Sequence, residues 1–230
     1  MSIADNIRSV RERIQKAALN SGRDPKEVRL IAVTKGVSIE KIIEAVRCGI
    51  DTFGENYAQE FRNKYEAIEK TLDSKVKWHF IGRLQRNKVK YLLGKVEVIH
   101  SLDSLTVAEE INKRAQKLGT LVSVLIEVNT SGEEQKGGIP PDKLRDFLYR
   151  VGDFPNIKVI GLMTMPPYFD NPELTRPYYR KLRELRDELQ KLFPDLRELS
   201  MGMSVDFEVA IEEGATMVRI GTLIFGPRSV

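Results

Sequence analysis

Short apolar segments alternate with longer amphipathic segments along most of this chain, and the apolar segment comes first in each pair. For example, VRLIAVTK precedes SIEKIIEAVRCG, and VSVLIEVN precedes a helical pattern that begins near Pro141. Strands that are buried on both faces lose the alternation of polar and apolar residues, so this pattern indicates a parallel sheet covered by helices. We count about eight such units, which predicts an α/β fold of the (β/α)8 TIM-barrel class.

An extra helix is predicted before the first strand, because Ile3, Ile7, Val10 and Ile14 recur at steps of three and four. The competing architecture is a doubly wound open sheet, which usually has fewer strands and a glycine-rich first turn. Here the first turn, TKGVS, contains a single glycine. A length of 230 residues with 41% hydrophobic residues suits one domain over residues 1–230, which we expect to be a monomer.

The charge balance gives little support to a polyanionic partner. The chain has 37 basic and 33 acidic residues, with a net charge of +4 and no dominant block of like charge. No apolar run approaches the length of a membrane helix, and MSIADNIRSVRERI lacks the apolar stretch of a signal peptide. We therefore expect a cytoplasmic protein that binds neither membrane nor nucleic acid.

Functional groups in a barrel of this class gather at the C-terminal ends of the strands. Most residues at or just after the predicted strand ends are polar. They are Lys35, Asn56, His79 with Gly82, Ser101, Asn129, Thr164, Ser200 with Gly202 and Ser204, and Arg219 with Gly221 and Thr222. Each one alone is weak evidence, because any strand that leaves a sheet tends to end in polar residues. Their convergence predicts a site.

Lys35 follows the apolar residues Ile31 and Val33. One interpretation is a strand-end lysine whose stem is buried and whose amine reaches water. The other is an amine held among apolar walls, which loses some of its preference for the charged form and can attack an aldehyde to form a Schiff base. That chemistry suits pyridoxal 5′-phosphate, which also requires a phosphate cradle and a partner for its pyridine nitrogen.

A phosphate cradle is predicted in SMGMSVDFEVAI and in the following RIGTLIFG. We predict that Ser204 caps a helix, that Gly202 allows close backbone approach and that Ser200 offers a hydroxyl. Gly221 and Thr222 lie in the next loop, and barrels often bind phosphate after their last two strands. The alternative is an ordinary strand-to-helix turn rich in serine and glycine.

Arg219 lies inside the short apolar segment MVRIG. It could pair with a buried carboxylate. Alternatively, it could donate to the pyridine nitrogen, keep that nitrogen unprotonated and so weaken the ring as an electron sink. His79 and His100 could pair as metal ligands, but no acidic or cysteine cluster lies at ligand spacing, so we predict no metal site.

Several segments together are similar to a known family. AVTK, FGENY, HFIGRLQRNK, EVNTSGEEQKGG, GLMTM and SMGMSVDFEVAIEEGATMVRIGTLIFG resemble the pyridoxal phosphate homeostasis proteins, single-domain relatives of the alanine racemase barrel of PLP fold type III. The resemblance implies that Lys35 carries the cofactor as an aldimine and that Arg219 meets the ring nitrogen. It further implies that the 200–204 and 221–222 loops take the phosphate and that Asn56 and His79 line the pocket.

The family resemblance implies a protein that binds and distributes pyridoxal phosphate without established turnover, with PLP-dependent apoenzymes as the recipients. An amino-acid racemase or lyase using the same lysine is the alternative, although racemisation needs bases on both faces of the substrate and Lys35 supplies only one. A third hypothesis is a nucleic-acid-associated barrel, based on the basic segment 83–95, for which a solvated helix face is the simpler account. The loops 130–139 and 165–175 could cover the mouth.

Overall fold

The computed structural model describes residues 2–72, 75–133 and 135–227. The strands in these ranges form a closed parallel barrel in which each strand pairs with the next and the last returns to the first. They are β1 Arg29–Val33, β2 Thr52–Glu55, β3 Lys77–Phe80, β4 Val98–Leu102, β5 Val122–Glu127, β6 Ile157–Met163, β7 Glu198–Ser200 and β8 Met217–Ile220. The closed ring confirms the TIM-barrel prediction and excludes the doubly wound open sheet.

The helices cover the outside of the barrel. They are α1 Ile3–Asn20, α2 Ile39–Arg47, α3 Ala58–Thr71, α4 Leu105–Leu118, α5 Leu144–Gly152, α6 Arg176–Leu189, α7 Phe207–Glu212 and α8 Thr222–Phe225. Short 3₁₀ segments span Pro25–Glu27, Arg86–Tyr91, Pro141–Lys143 and Pro172–Thr175. In the part of the chain that the structure describes, no helix combines the length and apolar character needed to cross a bilayer.

The predicted α-helix after β3 is wrong, because that connection is the 3₁₀ segment Arg86–Tyr91. Gly94, with a φ of 77°, ends the connection soon afterwards. A tighter 3₁₀ turn covers this part of the barrel, with Val89 as its buried residue.

The N-terminal helix α1 is confirmed, and its packing explains why it is needed. Ser2 caps it, accepting a hydrogen bond from the Asp5 backbone N–H at 3.1 Å. Its buried face contacts α7 and α8, and the Asn6 amide donates to the Ile224 carbonyl at 2.9 Å. Since α8 has only four residues, α1 covers the part of the barrel that a full eighth helix would otherwise cover.

The barrel interior contains its own apolar layer, separate from the larger core between sheet and helices. The layer consists of Ile31, Val98, Leu125, Met163 and Met217. Alternate residues of a strand point to the same side of the sheet. Lys35, Glu127 and Arg219 each lie two or four residues after a member of this layer, so each continues an inward-facing series towards the mouth.

Candidate functional site

The C-terminal ends of the strands surround the mouth of the barrel, and three neighbouring strands supply most of the predicted site. Strands β7, β8 and β1 are consecutive in the ring. The loops after β7 and β8 and the loop that carries Lys35 therefore lie side by side. The sequence-based prediction that these segments converge is consistent with this topology.

Lys35 is half-buried just beyond β1. Its Nζ lies 4.8 Å from the centroid of the Tyr57 ring, an arrangement that attracts a cation to the aromatic face. Among the described residues, no carboxylate lies within ion-pair distance of this amine and no oxygen accepts a hydrogen bond from it. The amine is held beside an aromatic wall and its bonding capacity is unused.

A buried ion cluster lies behind Lys35, and we call Thr34, Glu55, Glu60 and Lys64 the Lys64 cluster. The Lys64 Nζ donates to Glu55 Oε2 at 2.8 Å, to Glu60 Oε1 at 2.6 Å and to the Thr34 carbonyl. Glu55 Oε2 also accepts from the Thr34 hydroxyl at 2.9 Å. Thr34 directly precedes Lys35, so Lys64 on α3 fixes the loop that carries the Lys35 amine.

Asn56, the predicted residue after β2, is half-buried at the mouth. Its backbone N–H donates to Glu55 Oε1 at 2.9 Å, which ties it to the Lys64 cluster. The loop after β3 approaches it closely, because a Cβ built on Gly82 would lie 2.0 Å from the Asn56 carbonyl oxygen. Only glycine fits at residue 82, and the contact sets the height of Asn56 at the mouth.

The predicted phosphate cradle consists of two adjacent loops with unused backbone donors. Within the described ranges, the backbone N–H groups of Ser204, Gly221 and Thr222 have no protein acceptor. Gly202 has a φ of 93°, and a Cβ there would lie 2.6 Å from the Ala210 side chain. The close packing at Gly202 allows the 200–204 loop to fold tightly beside the loop after β8.

The prediction that Ser204 is the helix N-cap is wrong. Helix α7 begins at Phe207, and its N-cap is Asp206. The Asp206 carboxylate accepts from the Met203 backbone N–H at 2.7 Å and from the Tyr179 hydroxyl at 2.7 Å. These bonds use the aspartate to close the loop, which leaves Ser204 in the turn with its N–H unused.

Arg219 is buried and its contacts are with neutral acceptors. Its Nη1 donates to Ser200 Oγ at 2.5 Å and its Nη2 donates to the Thr164 carbonyl at 3.0 Å. The alternative of a buried carboxylate partner is therefore wrong for the part of the chain that is described. Burial lowers the pKa of the Arg219 guanidinium, although a guanidinium remains charged near neutral pH.

The Arg219 contacts continue through the barrel interior as a chain of buried side chains, which we call the histidine relay. Ser200 Oγ lies 2.8 Å from His100 Nδ1, and His100 Nε2 lies 2.8 Å from His79 Nδ1. Because a guanidinium can only donate, Ser200 accepts from Arg219 and can give its own proton to His100. The Ser200 hydroxyl thus contacts Arg219 and His100 inside the barrel, and its predicted role towards a phosphate stays a prediction.

His79 lies in the lumen beneath the mouth. One ring nitrogen faces His100, and the other, Nε2, has no hydrogen-bond partner and lies 3.9 Å from Glu97 Oε2. Burial lowers the pKa of both histidines, so both are neutral near pH 7. The prediction that His79 lines the cofactor pocket stays a prediction, and the structure places its ring in contact with His100.

The histidines bond to each other, which is the arrangement of a hydrogen-bonded relay. In residues 2–72, 75–133 and 135–227, no group of three or more His, Cys, Asp or Glu side chains could hold a metal ion. Sequence reasoning considered His100 only as a metal ligand. His100 lies two residues after Val98, whose side chain faces the lumen. The alternation of side chains along β4 could therefore have placed His100 in the lumen.

Comparison with known proteins assigns the family. The alanine racemase N-terminal domain family matches residues 2–229. The pyridoxal phosphate homeostasis protein of Aquifex aeolicus is 56% identical over 229 residues, which is 99% of each chain. The chain belongs to the pyridoxal phosphate homeostasis protein family. The resemblance seen in AVTK, FGENY and the later segments is thereby confirmed.

Solved structures of this family and of its relatives share the barrel. PipY of Synechococcus elongatus, solved with PLP bound, superposes with a TM-score of 0.84 at 33% identity, covering 98% of this chain and 100% of that chain. Alanine racemase of Clostridium difficile gives a TM-score of 0.71 at 16% identity, with 98% of this chain and 57% of that chain covered. The racemase likeness therefore concerns the fold alone.

In this member of the pyridoxal phosphate homeostasis family, one acidic residue at the mouth, Glu127, was not identified from the sequence. Glu127, the last residue of β5, is 7% exposed, and its carboxylate accepts no hydrogen bond from the described residues. Burial, together with the nearby Asp103 carboxylate, raises its pKa to about 7. Because Glu127 lies two residues after the inward-facing Leu125, its side chain is also expected to face inward. Only Asn129, the polar residue that follows this strand, was considered from the sequence.

Proposed function

We propose that this chain binds pyridoxal 5′-phosphate at the mouth of the barrel, holds it through a covalent bond to Lys35 and passes it to PLP-dependent apoenzymes. The observation that carries the proposal is the amine of Lys35, unused within the described chain, beside two loops with unused backbone N–H groups. A family member solved with PLP bound supports it. The same support applies to a role in PLP homeostasis, the name that the curated relatives carry.

The residues at the mouth match the parts of the cofactor. Pyridoxal phosphate supplies an aldehyde that condenses with a primary amine and a ring that withdraws electrons when its nitrogen is protonated. Lys35 provides the amine, and the backbone N–H groups of Ser204, Gly221 and Thr222 provide phosphate donors. Asn56 completes the wall on the β2 side.

Arg219 favours storage of the cofactor over turnover. Ser200 and Thr164 fix two nitrogens of its guanidinium, which can donate to the ring nitrogen but cannot accept a proton from it. A ring nitrogen that accepts from Arg219 stays unprotonated, so the ring stabilises a carbanion poorly. This arrangement supports a carrier without catalytic turnover rather than the racemase or lyase alternative.

A spectroscopic titration tests the covalent attachment. Wild-type protein mixed with pyridoxal phosphate should develop a visible absorbance band that is distinct from that of free cofactor. Lys35→Ala should lose this band and retain only weaker, phosphate-anchored binding. The matched control is Lys88→Ala, a lysine on the 3₁₀ segment between β3 and β4, which should behave as wild type. A band of wild-type size and position in Lys35→Ala would refute the assignment.

A second experiment isolates the phosphate cradle. Gly202→Ala places a Cβ 2.6 Å from the Ala210 side chain at a φ of 93°, so the loop must move. We expect affinity for pyridoxal phosphate to fall by about tenfold or more, with little loss for pyridoxal. Gly22→Ala is the control, since Gly22 has a similar φ of 71° but open space around its Cα and lies far along the chain from either loop. Equal losses for both ligands would show that the loop shapes the ring pocket instead.

We further infer a cytoplasmic monomer whose recipients are apoenzymes. The mixed surface charge, with a net value of +4, supports the cytoplasmic monomer. Exposed apolar side chains on the mouth loops, including Tyr57, Tyr168 and Val205, support contact with a recipient apoenzyme. The test is transfer to a PLP-free aminotransferase in the presence of a phosphatase that destroys released cofactor. Wild-type protein loaded with cofactor should activate the recipient, and Lys35→Ala should not. Sedimentation at micromolar concentration tests the monomer.

A further inference from the structure

A cavity opens at the mouth on the side of the barrel away from Lys35. Its wall includes Glu127, Asn129, Met165, Tyr168 and Met203, and we call it the mouth pocket. Strand β5, which ends at Glu127, is the fifth in a ring of eight, so it lies across the lumen from β1. The mouth pocket therefore lies across the lumen from the loop that carries Lys35, and it touches the loop after β7 through Met203.

Glu127 is the chemically unusual group of the mouth pocket. The residue is more than nine-tenths buried, yet its carboxylate accepts no hydrogen bond from the described part of the chain. A second carboxylate is near: a Cβ built on Gly137 would lie 3.2 Å from Asp103 Oδ2 and 3.7 Å from Glu127 Oε1. A buried carboxylate beside another carboxylate and without a partner is costly, which indicates that a cation belongs there.

None of the cations near Glu127 forms an ion pair with it among the described residues. Arg219 lowers the pKa of the Glu127 carboxyl through space, but its guanidinium bonds to Ser200 and Thr164. Arg83 acts in the same direction from the loop after β3 without forming an ion pair with Glu127. Lys136 lines the pocket, and its Nζ is paired with Glu133 at 2.6 Å.

The walls of the pocket select the kind of cation. Calcium and magnesium require about six or more oxygen ligands, and the described residues offer no group of three acidic or metal-binding side chains here. Much of the remaining wall is apolar, with Met165, Pro166 and Met203 facing the cavity. An organic cation would satisfy both the carboxylates and this apolar wall.

We propose that the mouth pocket binds the primary ammonium group of a small organic amine, with Glu127 as its counter-ion and the apolar wall around its carbon chain. The ammonium would donate to Glu127 and reach Asp103, while Asn129 and the apolar side chains bound the rest of the molecule. This inference goes beyond the cofactor site, and it does not require that pyridoxal phosphate be bound.

Calorimetric titration of cofactor-free protein with n-butylammonium tests the proposal. We expect saturable binding that Glu127→Gln weakens by about tenfold or more, because the substitution removes the charge and keeps the shape. Glu184→Gln, which removes an exposed carboxylate on the outer helix α6, is the matched control and should bind as wild type. Since no cofactor is present, failure of this test leaves the proposal about Lys35 unaffected.

The pH dependence and two further ligands complete the experiment. Affinity of the wild type should rise by up to about tenfold between about pH 6 and about pH 8, because Glu127 ionises while the amine stays charged. The Glu127→Gln variant should show no such rise. Binding of n-butanol with equal affinity, binding of Ca²⁺ in place of the amine, or equal affinity in the Glu127→Gln variant would overturn the proposal.

Discussion

The Lys64 cluster and the mouth of the barrel each contain a lysine amine and a glutamate carboxylate. In the cluster these groups are hydrogen-bonded, and at the mouth they are not bonded to any described residue. Lys64 is buried and donates to two carboxylates and a carbonyl, whereas Lys35 lies beside an aromatic ring with no acceptor among the described residues. Glu55 accepts from two side chains and a backbone N–H, whereas the carboxylate of Glu127 accepts from none. The bonded groups hold loops in place, and the groups with unused capacity are at the mouth.

The difference has a physical basis. A buried polar group without a partner costs folding free energy, so such groups are rare where they only support the fold. They persist where a ligand completes them, and the cost is offset by stability elsewhere in the molecule. The Lys64 cluster lies next to Lys35 and supplies the rigid support that a binding loop needs.

The largest expected effect comes from removing the lysine of the Lys64 cluster. Lys64→Met should lower the free energy of unfolding by about 3–5 kcal/mol, because it leaves the buried Glu55 carboxylate without its cation. Urea denaturation of wild type and variant measures the change. The control is Lys70→Met, an exposed lysine on the same helix, which should stay within about 0.5 kcal/mol of wild type. A loss below about 1 kcal/mol in Lys64→Met would show that the cluster does not hold the loop.

Neutralising the unbonded carboxylate should have the opposite sign. The pKa of Glu127 is raised from 4.5 to about 7, so its ionisation costs stability: the cost is absent at low pH, grows as pH rises from about 4.5 to about 7, and is complete above that. Glu127→Gln should therefore stabilise the protein by about 1–3 kcal/mol at about pH 8 and by little at about pH 5. Thermal unfolding at the two pH values is the measurement.

The matched substitution at the bonded carboxylate sharpens this test. Glu55→Gln removes the same charge but leaves Lys64 without its fully buried carboxylate partner, so it should destabilise the protein at both pH values. If both glutamine variants shifted stability in the same direction, the contrast between the two regions would be wrong.

A smaller effect is expected from the histidine relay. Burial holds the pKa of His100 well below its ordinary value of 6.5, so the unfolded chain binds a proton that the folded protein does not. Stability should fall as pH decreases below about 6.5, by about 1 kcal/mol over one pH unit, and His100→Gln should reduce this slope. Because Glu127 titrates in the same range with the opposite sign, the comparison is best made in the Glu127→Gln background. An unchanged slope would show that folding does not lower the pKa of His100.

Much of the fold was predictable because the sequence repeats one physical pattern. Each apolar segment that became a strand was followed by a helical period, and the closed barrel follows from the number of units. The connection at residues 86–91 was not predictable, because a short basic segment with one buried apolar residue, Val89, suits a 3₁₀ turn as well as a helix. The N-cap at Asp206 depended on contacts with Met203 and Tyr179, the second of which is distant in sequence.

The candidate site was predictable to the level of loops but not of contacts. Strand ends located Lys35, Asn56 and Arg219, since every strand of such a barrel ends at the same face. Ser200 contacts His100, which lies on a strand far from it in the chain, and only the closed ring brings the two together. His79 contacts the same histidine from the neighbouring strand. The alternation of inward-facing side chains along each strand is a more informative signal than the polar residue at the strand end, because it would also have identified Glu127 as a site residue.

The most direct test of the central claim is to locate the covalent bond. Borohydride reduction of the protein incubated with pyridoxal phosphate makes the bond permanent, and peptide mass mapping identifies the modified lysine. The account predicts a single adduct on Lys35, because no described residue accepts a hydrogen bond from its amine beside the mouth loops, and none on Lys64, whose amine is fully bonded. An adduct on Lys64 or Lys88, or no stoichiometric adduct at all, would contradict it.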